Sequence, residues 1–143
     1  MADVTFTKAR KKIADATIAV SSAVFRALLV RDTSSYTPDP DDEFLGDITI
    51  TEISASGYAR VTLSNVTIEE DTVENLVNLN CDDIVFPATA AGQTFEQLIV
   101  YVQVGGDDTT PANDILVACF DFAGATAGGT ITATVDADGL ISF

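Results

Sequence analysis

Carboxylates are the only abundant reactive groups in this chain. Of its 143 residues, 22 are Asp or Glu, 7 are Lys or Arg, and none is His. Without imidazole, acid–base chemistry near neutral pH falls to carboxylates, Lys, Tyr or Cys. Ser and Cys nucleophile triads lack their usual base. A glycosidase-type pair needs only two acids facing one another, so in a chain this acidic such a pair carries no signal. No GxSxG, Walker or dinucleotide-binding glycine motif is present. Gly105-Gly106 and Gly128-Gly129 read as turns. Tyr36, Tyr58 and Tyr101 are the only tyrosines and tryptophan is absent, so the sequence is poorly equipped to stack sugars.

Oxygen ligands cluster at Asp39, Asp41, Asp42 and Glu43, which invites a test for calcium. The EF-hand pattern fails, because Phe44 stands where the loop needs Gly and Ile50 where it needs the bidentate Glu. The cluster reads as a solvated acidic loop, with a calcium site of another kind as the alternative, and no cofactor is expected. Cys81 and Cys119 show no CxxC spacing and have no His to complete a zinc site. They read as two small, mostly buried thiols of a reducing compartment.

The formal charge is −15, and four of the seven bases (Lys8, Arg10, Lys11, Lys12) lie in one N-terminal run. The acidic remainder repels phosphate backbones and anionic lipid, which argues against nucleic-acid and membrane partners. No apolar run is long enough to span a bilayer. The basic run followed by residues 13–24 imitates a signal peptide only loosely, since Asp15 interrupts its apolar part.

The elements that must position these groups read as strands. Residues 47–63 (DITITEISASGYARVTL) alternate apolar and polar on either side of a Gly-bearing break, which predicts a hairpin. Within it Tyr58 and Arg60 share a parity opposite to Val61 and Leu63, so Arg60 is expected to face solvent or an interface with Tyr58 beside it. Residues 17–20 predict a brief strand. Residues 23–31 predict a strand apolar on both faces and so covered on both. Arg26 within it must find a carboxylate or a subunit contact. Residues 98–104 (LIVYVQV) predict a central strand, with 115–122 returning antiparallel to it. Residues 69–71 read as an acidic turn, 72–80 are equally a short helix or an irregular strand, and 83–86 predict a short strand. Residues 130–135 and 140–143 flank an Asp-Gly, which predicts a C-terminal hairpin. Ahead of all these, residues 7–15 suit a short helix with Thr7 as N-cap and its bases in the first turns. The expected fold is all-β: an antiparallel β-sandwich or Greek-key barrel over residues 17–143, with a helical or extended arm over residues 1–16.

Several of these stretches also resemble small virion structural proteins of tailed bacteriophages. The likeness is carried by LLV at residues 28–30, Tyr-Thr-Pro-Asp at 36–39, Phe-Leu-x-Asp-Ile at 44–48 and Glu-Ile…Gly-Tyr-x-Arg at 52–60. It extends through residues 84–101, 115–122 and 128–141. The resemblance implies a catalytically inert capsid decoration (cement) protein that bridges and stabilises major capsid subunits. A head–tail connector component and a receptor- or glycan-binding tail component are the alternatives. It further implies residence in the virion after synthesis in the host cytoplasm, and a homo-oligomer, dimer or trimer, because capsids present symmetric sites. The contacts expected on that basis lie in the arm (Lys8, Arg10, Lys11, Lys12), the acidic loop (Tyr36, Asp39, Asp41), Arg60 and the loop tip (Asp107, Asp108).

Overall fold

The computed structural model describes residues 3–143. Met1 and Ala2, the tip of the expected arm, lie outside the described residues. The fold is all-β and sandwich-like, with one short helix. The main sheet is antiparallel and is built on β2 (Val24–Arg31), β7 (Thr94–Gln103) and β8 (Ile115–Ala125). Its edges are closed by the two-residue strands β1 (Val4–Thr5) and β3 (Val61–Thr62), in the order β1-β8-β7-β2-β3. A second sheet has the order β10-β5-β4, from β4 (Thr67–Asp71), β5 (Leu76–Asn80) and β10 (Ile141–Ser142). β6 (Ile84–Phe86) and β9 (Ile131–Ala133) pair on their own.

The central strands are where the apolar runs predicted them, because a strand buried on both faces must be apolar on both. Phe25, Ala27 and Leu29 of β2 register with Val102, Val100 and Leu98 of β7. Val100 and Leu98 in turn register with Ala118 and Phe120 of β8. This face looks across to Ile84 and Ala133 of the small β6–β9 sheet. The other face carries Arg26, Leu28, Ile99, Tyr101 and Cys119, and all but Arg26 are fully or almost fully buried. Each large aliphatic buried in this way contributes about 1.5–3 kcal/mol, which is the main drive to this sheet.

Four local expectations are corrected. Residues 47–63 do not form a hairpin. Leu45–Asp47 is a single 3-10 turn, and the flanking segments pair with β2 instead of with each other. Glu52 bridges Val30, while Val61 and Thr62 register with Ala27 and Arg26. The two halves therefore make one edge strand, interrupted at residues 54–60. Alternation of period two marks a half-buried strand but does not say which strand it pairs with. The C-terminal hairpin fails for the same reason: β9 pairs with β6 and β10 with β5. The Asp-Gly turn, closed by the Gly139 N–H on the Asp136 carbonyl, carries the chain from one sheet to the other. Residues 17–20 make a turn in place of a strand, and the Ile18 N–H closes onto the Lys12 carbonyl at the helix end. Glu69 and Asp71, expected in a turn, belong to β4, and the hairpin turn comes after them.

The helix α1 (Thr7–Ala14) forms as expected but is capped differently. Phe6 stands at the N-cap, where its side chain has no hydrogen-bonding group to offer and its ring is fully buried instead. The Thr7 N–H donates to the Pro40 carbonyl at 2.8 Å, and the Phe6 N–H to the Val117 carbonyl at 3.0 Å. The helix is short enough that Lys11 and Lys12 fall in its last turn, where their charge suits the dipole.

Candidate functional site

The interrupted edge of β2 gathers the densest group of charged and polar side chains in the described molecule. The chain leaves the edge after Ile53, whose N–H donates to the Leu29 carbonyl at 3.1 Å. A continuing strand would next offer a carbonyl to the Leu29 N–H. In its place the Tyr58 hydroxyl accepts that N–H at 2.9 Å, so the backbone donor is not left bare. The excursion is held from outside by Gln93. Its Oε1 accepts the Ser54 and Ala55 N–H groups at 2.9 and 3.2 Å, and its Nε2 donates to the Ser54 hydroxyl at 3.0 Å. Gly57 is required at the bend: its φ is +89°, and a Cβ there would stand 2.3 Å from the Ala88 carbonyl oxygen.

From this excursion Arg60 reaches back to Glu52. Its Nε and Nη2 contact both carboxylate oxygens at 2.8–3.1 Å, a two-pronged geometry available to guanidinium and not to an ammonium. The Tyr58 hydroxyl donates to the same carboxylate at 2.9 Å. Nη1 of Arg60 donates to the Tyr101 hydroxyl at 3.2 Å, and the guanidinium stands 5.6 Å from the Tyr101 ring centroid. Tyr101 donates onward to Asp108 Oδ1 at 2.8 Å, and Gln103 donates to the same oxygen at 2.7 Å. Arg26, which faces Tyr101 across the β2–β7 ladder, closes the ring. Its Nη1 donates to Asp108 Oδ2 at 3.0 Å and its Nη2 to the Arg60 carbonyl at 2.9 Å.

Two guanidinium groups and two carboxylates thus neutralise each other around a pair of tyrosines. Exposure of these four side chains runs from 18% for Arg26 to 35% for Asp108. Burial opposes the charge on Arg60, but its hydrogen bonds to Glu52 outweigh it and hold the pKa above the ordinary arginine value. Burial pushes Tyr101 up to about 12, helped by its hydrogen bond to Asp108. Tyr58 is raised too, first by burial and then by the Glu52 charge. Arg60, Tyr58 and Tyr101 therefore keep their protons near neutral pH, and their hydrogen bonds hold the interrupted sheet edge.

Sequence parity placed Tyr58 beside Arg60, and the shared Glu52 carboxylate joins them. Arg60 does not stand free in solvent: its guanidinium turns onto Glu52 and Tyr101, with 20% of the side chain exposed. Asp107 and Asp108, adjacent at the loop tip, part company. Asp108 enters the network, while Asp107 stays exposed and accepts the Thr109 N–H and hydroxyl, which lowers its pKa. Gln103 was missed, although it shares the parity of Tyr101 two residues earlier. Asp114 was missed as well. It is fully buried at the start of β8, accepts the Val104 N–H at 2.9 Å, and has its pKa raised by burial.

The acidic loop is stapled to its own domain. Tyr36 donates to Asp42 Oδ2 at 2.8 Å, and burial raises its pKa. Asp39 Oδ1 accepts the Asp41 N–H at 2.9 Å, and both residues stay exposed. The Leu45 N–H donates to the Asp114 carbonyl and the Leu116 N–H to the Glu43 carbonyl, pinning the loop to β8. Lys12 and Lys8 meet Glu43 at 2.7 and 3.7 Å, lowering the Glu43 pKa, and Lys11 meets Asp15 at 2.9 Å. Arg10 is exposed and makes none of these pairs.

A cavity of about 320 Å³ opens between the β6–β9 pair and the main sheet, floored by Leu98 and Phe120 and rimmed by Asp3, Asp121 and Asp136. Both cysteines are free, Cys119 buried and Cys81 half-buried, and burial pushes their thiols up to about 12 and about 11. At neutral pH they stay protonated and unreactive. Among the described residues no group of three or more His, Cys, Asp or Glu side chains is arranged to hold a metal ion. No helix among them is long and apolar enough to cross a membrane. Compared with protein-family models, curated proteins and solved structures, the chain matches none.

Proposed function

We propose that this protein is a non-catalytic structural component of a bacteriophage virion, a cement protein that clamps neighbouring capsid subunits. The single observation that supports an inert scaffold is the closed Glu52–Arg60–Tyr101–Asp108–Arg26 network. Its charges are all spent on one another, and they lock a strand edge that would otherwise carry a gap. Rigid β-domains of this kind resist load by adding buried area between the subunits they bridge. The virion assignment itself leans on the resemblance of residues 28–60 and of the later strands. The strongly acidic surface agrees with it, since a charge of −15 repels packaged DNA and suits the outside of a shell.

The test is co-sedimentation of the chain with assembled shells of a tailed phage that encodes it, with copy number read by quantitative mass spectrometry. A fixed stoichiometry to the major capsid protein is expected, with particles losing heat resistance when the chain is omitted. Recovery of all the protein free at its own mass, with particle stability unchanged, overturns the assignment.

A further inference from the structure

The hairpin β4–β5 extends beyond the core and leaves one apolar side open. Ile68 of β4 and Val77 of β5 lie on the same sheet face as the buried Leu79, yet they are 44% and 40% exposed. They form one wall of an almost wholly apolar groove, completed by Ile13 and Ala14 of α1 and by Phe143. The groove is small, so apolar contact there needs a polar rim to give it direction.

The two walls also carry opposite charge. Arg10 precedes Ile13 and Ala14 by three and four residues, so it extends the α1 wall one turn further. Glu70 registers with Val77 on the hairpin wall. Both are exposed, and neither side chain has an ion-pair or hydrogen-bond partner among the described residues. This contrasts with Lys8, Lys12, Arg26 and Arg60, which all have carboxylate partners. β4 is also the free edge of its sheet, and it bears Glu69 and Asp71 besides Glu70.

A patch with a cation on one wall, an anion on the other and apolar surface between them is complementary to itself under a two-fold rotation. Among the described residues the bases cluster on α1, and the acidic hairpin faces it across the groove. We propose that this face binds the same face of a second copy of the chain. In that dimer Arg10 of each protomer meets Glu70 of its partner, and the Ile68–Val77 walls cover one another. The proposal stands on the surface alone and does not depend on the virion reading.

Sedimentation velocity across a concentration series tests it. The native chain is expected to dimerise, and more weakly in 1 M salt because the rim charges are screened. Val77→Asp should weaken the dimer about thirty-fold or more, as for a central contact. Arg10→Glu and Glu70→Arg both alter exposed side chains, so both variants fold. Each alone should be largely monomeric, since it sets like charges opposite each other twice. An equimolar mixture of the two should recover the dimer, because both contacts are then between opposite charges. A native chain that stays monomeric overturns the proposal. So does a dimer indifferent to Val77→Asp, or two charge variants that fail to rescue one another.

Discussion

Two regions of this molecule handle charge in opposite ways. At the β2 edge, Glu52, Arg60, Asp108 and Arg26 are half-buried and paired, and hydrogen bonds from three tyrosine and glutamine side chains complete their shells. Along α1 and the β4–β5 hairpin, Arg10 and Glu70 are exposed and unpaired beside open apolar surface. The first arrangement repairs the fold, because removing any member strands a desolvated partner. The second adds nothing to the fold and leaves its charges available to another surface. Charge count alone does not distinguish them; partner and burial do.

The contrast can be broken at several points. Arg60→Ala should have the largest effect, a loss of about 2–4 kcal/mol in urea unfolding, because Glu52 and Asp108 each lose a cation while partly desolvated. Tyr58→Phe should cost about 1–2 kcal/mol, since the Leu29 N–H and the Glu52 carboxylate lose one hydroxyl at a single stroke. Asp114 gives a test by pH. Its folded pKa is raised above the ordinary 3.8 by burial, so its contribution is fully present below that value and is lost as pH rises through the folded pKa. Asp114→Asn should therefore gain stability relative to the native chain between pH 4 and pH 7, as measured by thermal melts across that range. The smallest effect belongs to the open face: Arg10→Glu should change folding stability by less than about 0.5 kcal/mol. A loss there comparable to that of Arg60→Ala would erase the distinction between the two regions.

Much of the main sheet was legible in the sequence. The runs at residues 24–31, 98–103 and 115–122 are apolar on both faces, and only a covered central strand tolerates that. Pairing was less legible. Residues 48–53 and 59–63 alternate as two strands of a hairpin would, but alternation records burial on one side and is blind to the neighbour. The same blindness hid the crossing from β9 to β10 behind an Asp-Gly turn. Of the network, parity brought Tyr58 and Arg60 together, and Arg26 was marked as needing a partner. The identity of that partner was out of reach, because Asp108 lies 82 residues away on a loop tip beside an Asp107 that turns outward. The groove was invisible for a further reason: Ile68 and Val77 look like core positions, and only the overhang of the hairpin exposes them.

Arg60 and Glu52 act as a clamp across an interrupted strand edge. A double-mutant cycle on unfolding free energy, with Arg60→Ala, Glu52→Ala and the pair, measures that clamp directly. A coupling of about 1.5–3 kcal/mol is expected for a two-pronged, largely desolvated pair. A coupling below about 0.5 kcal/mol, the ordinary value for a pair at the surface, would contradict it.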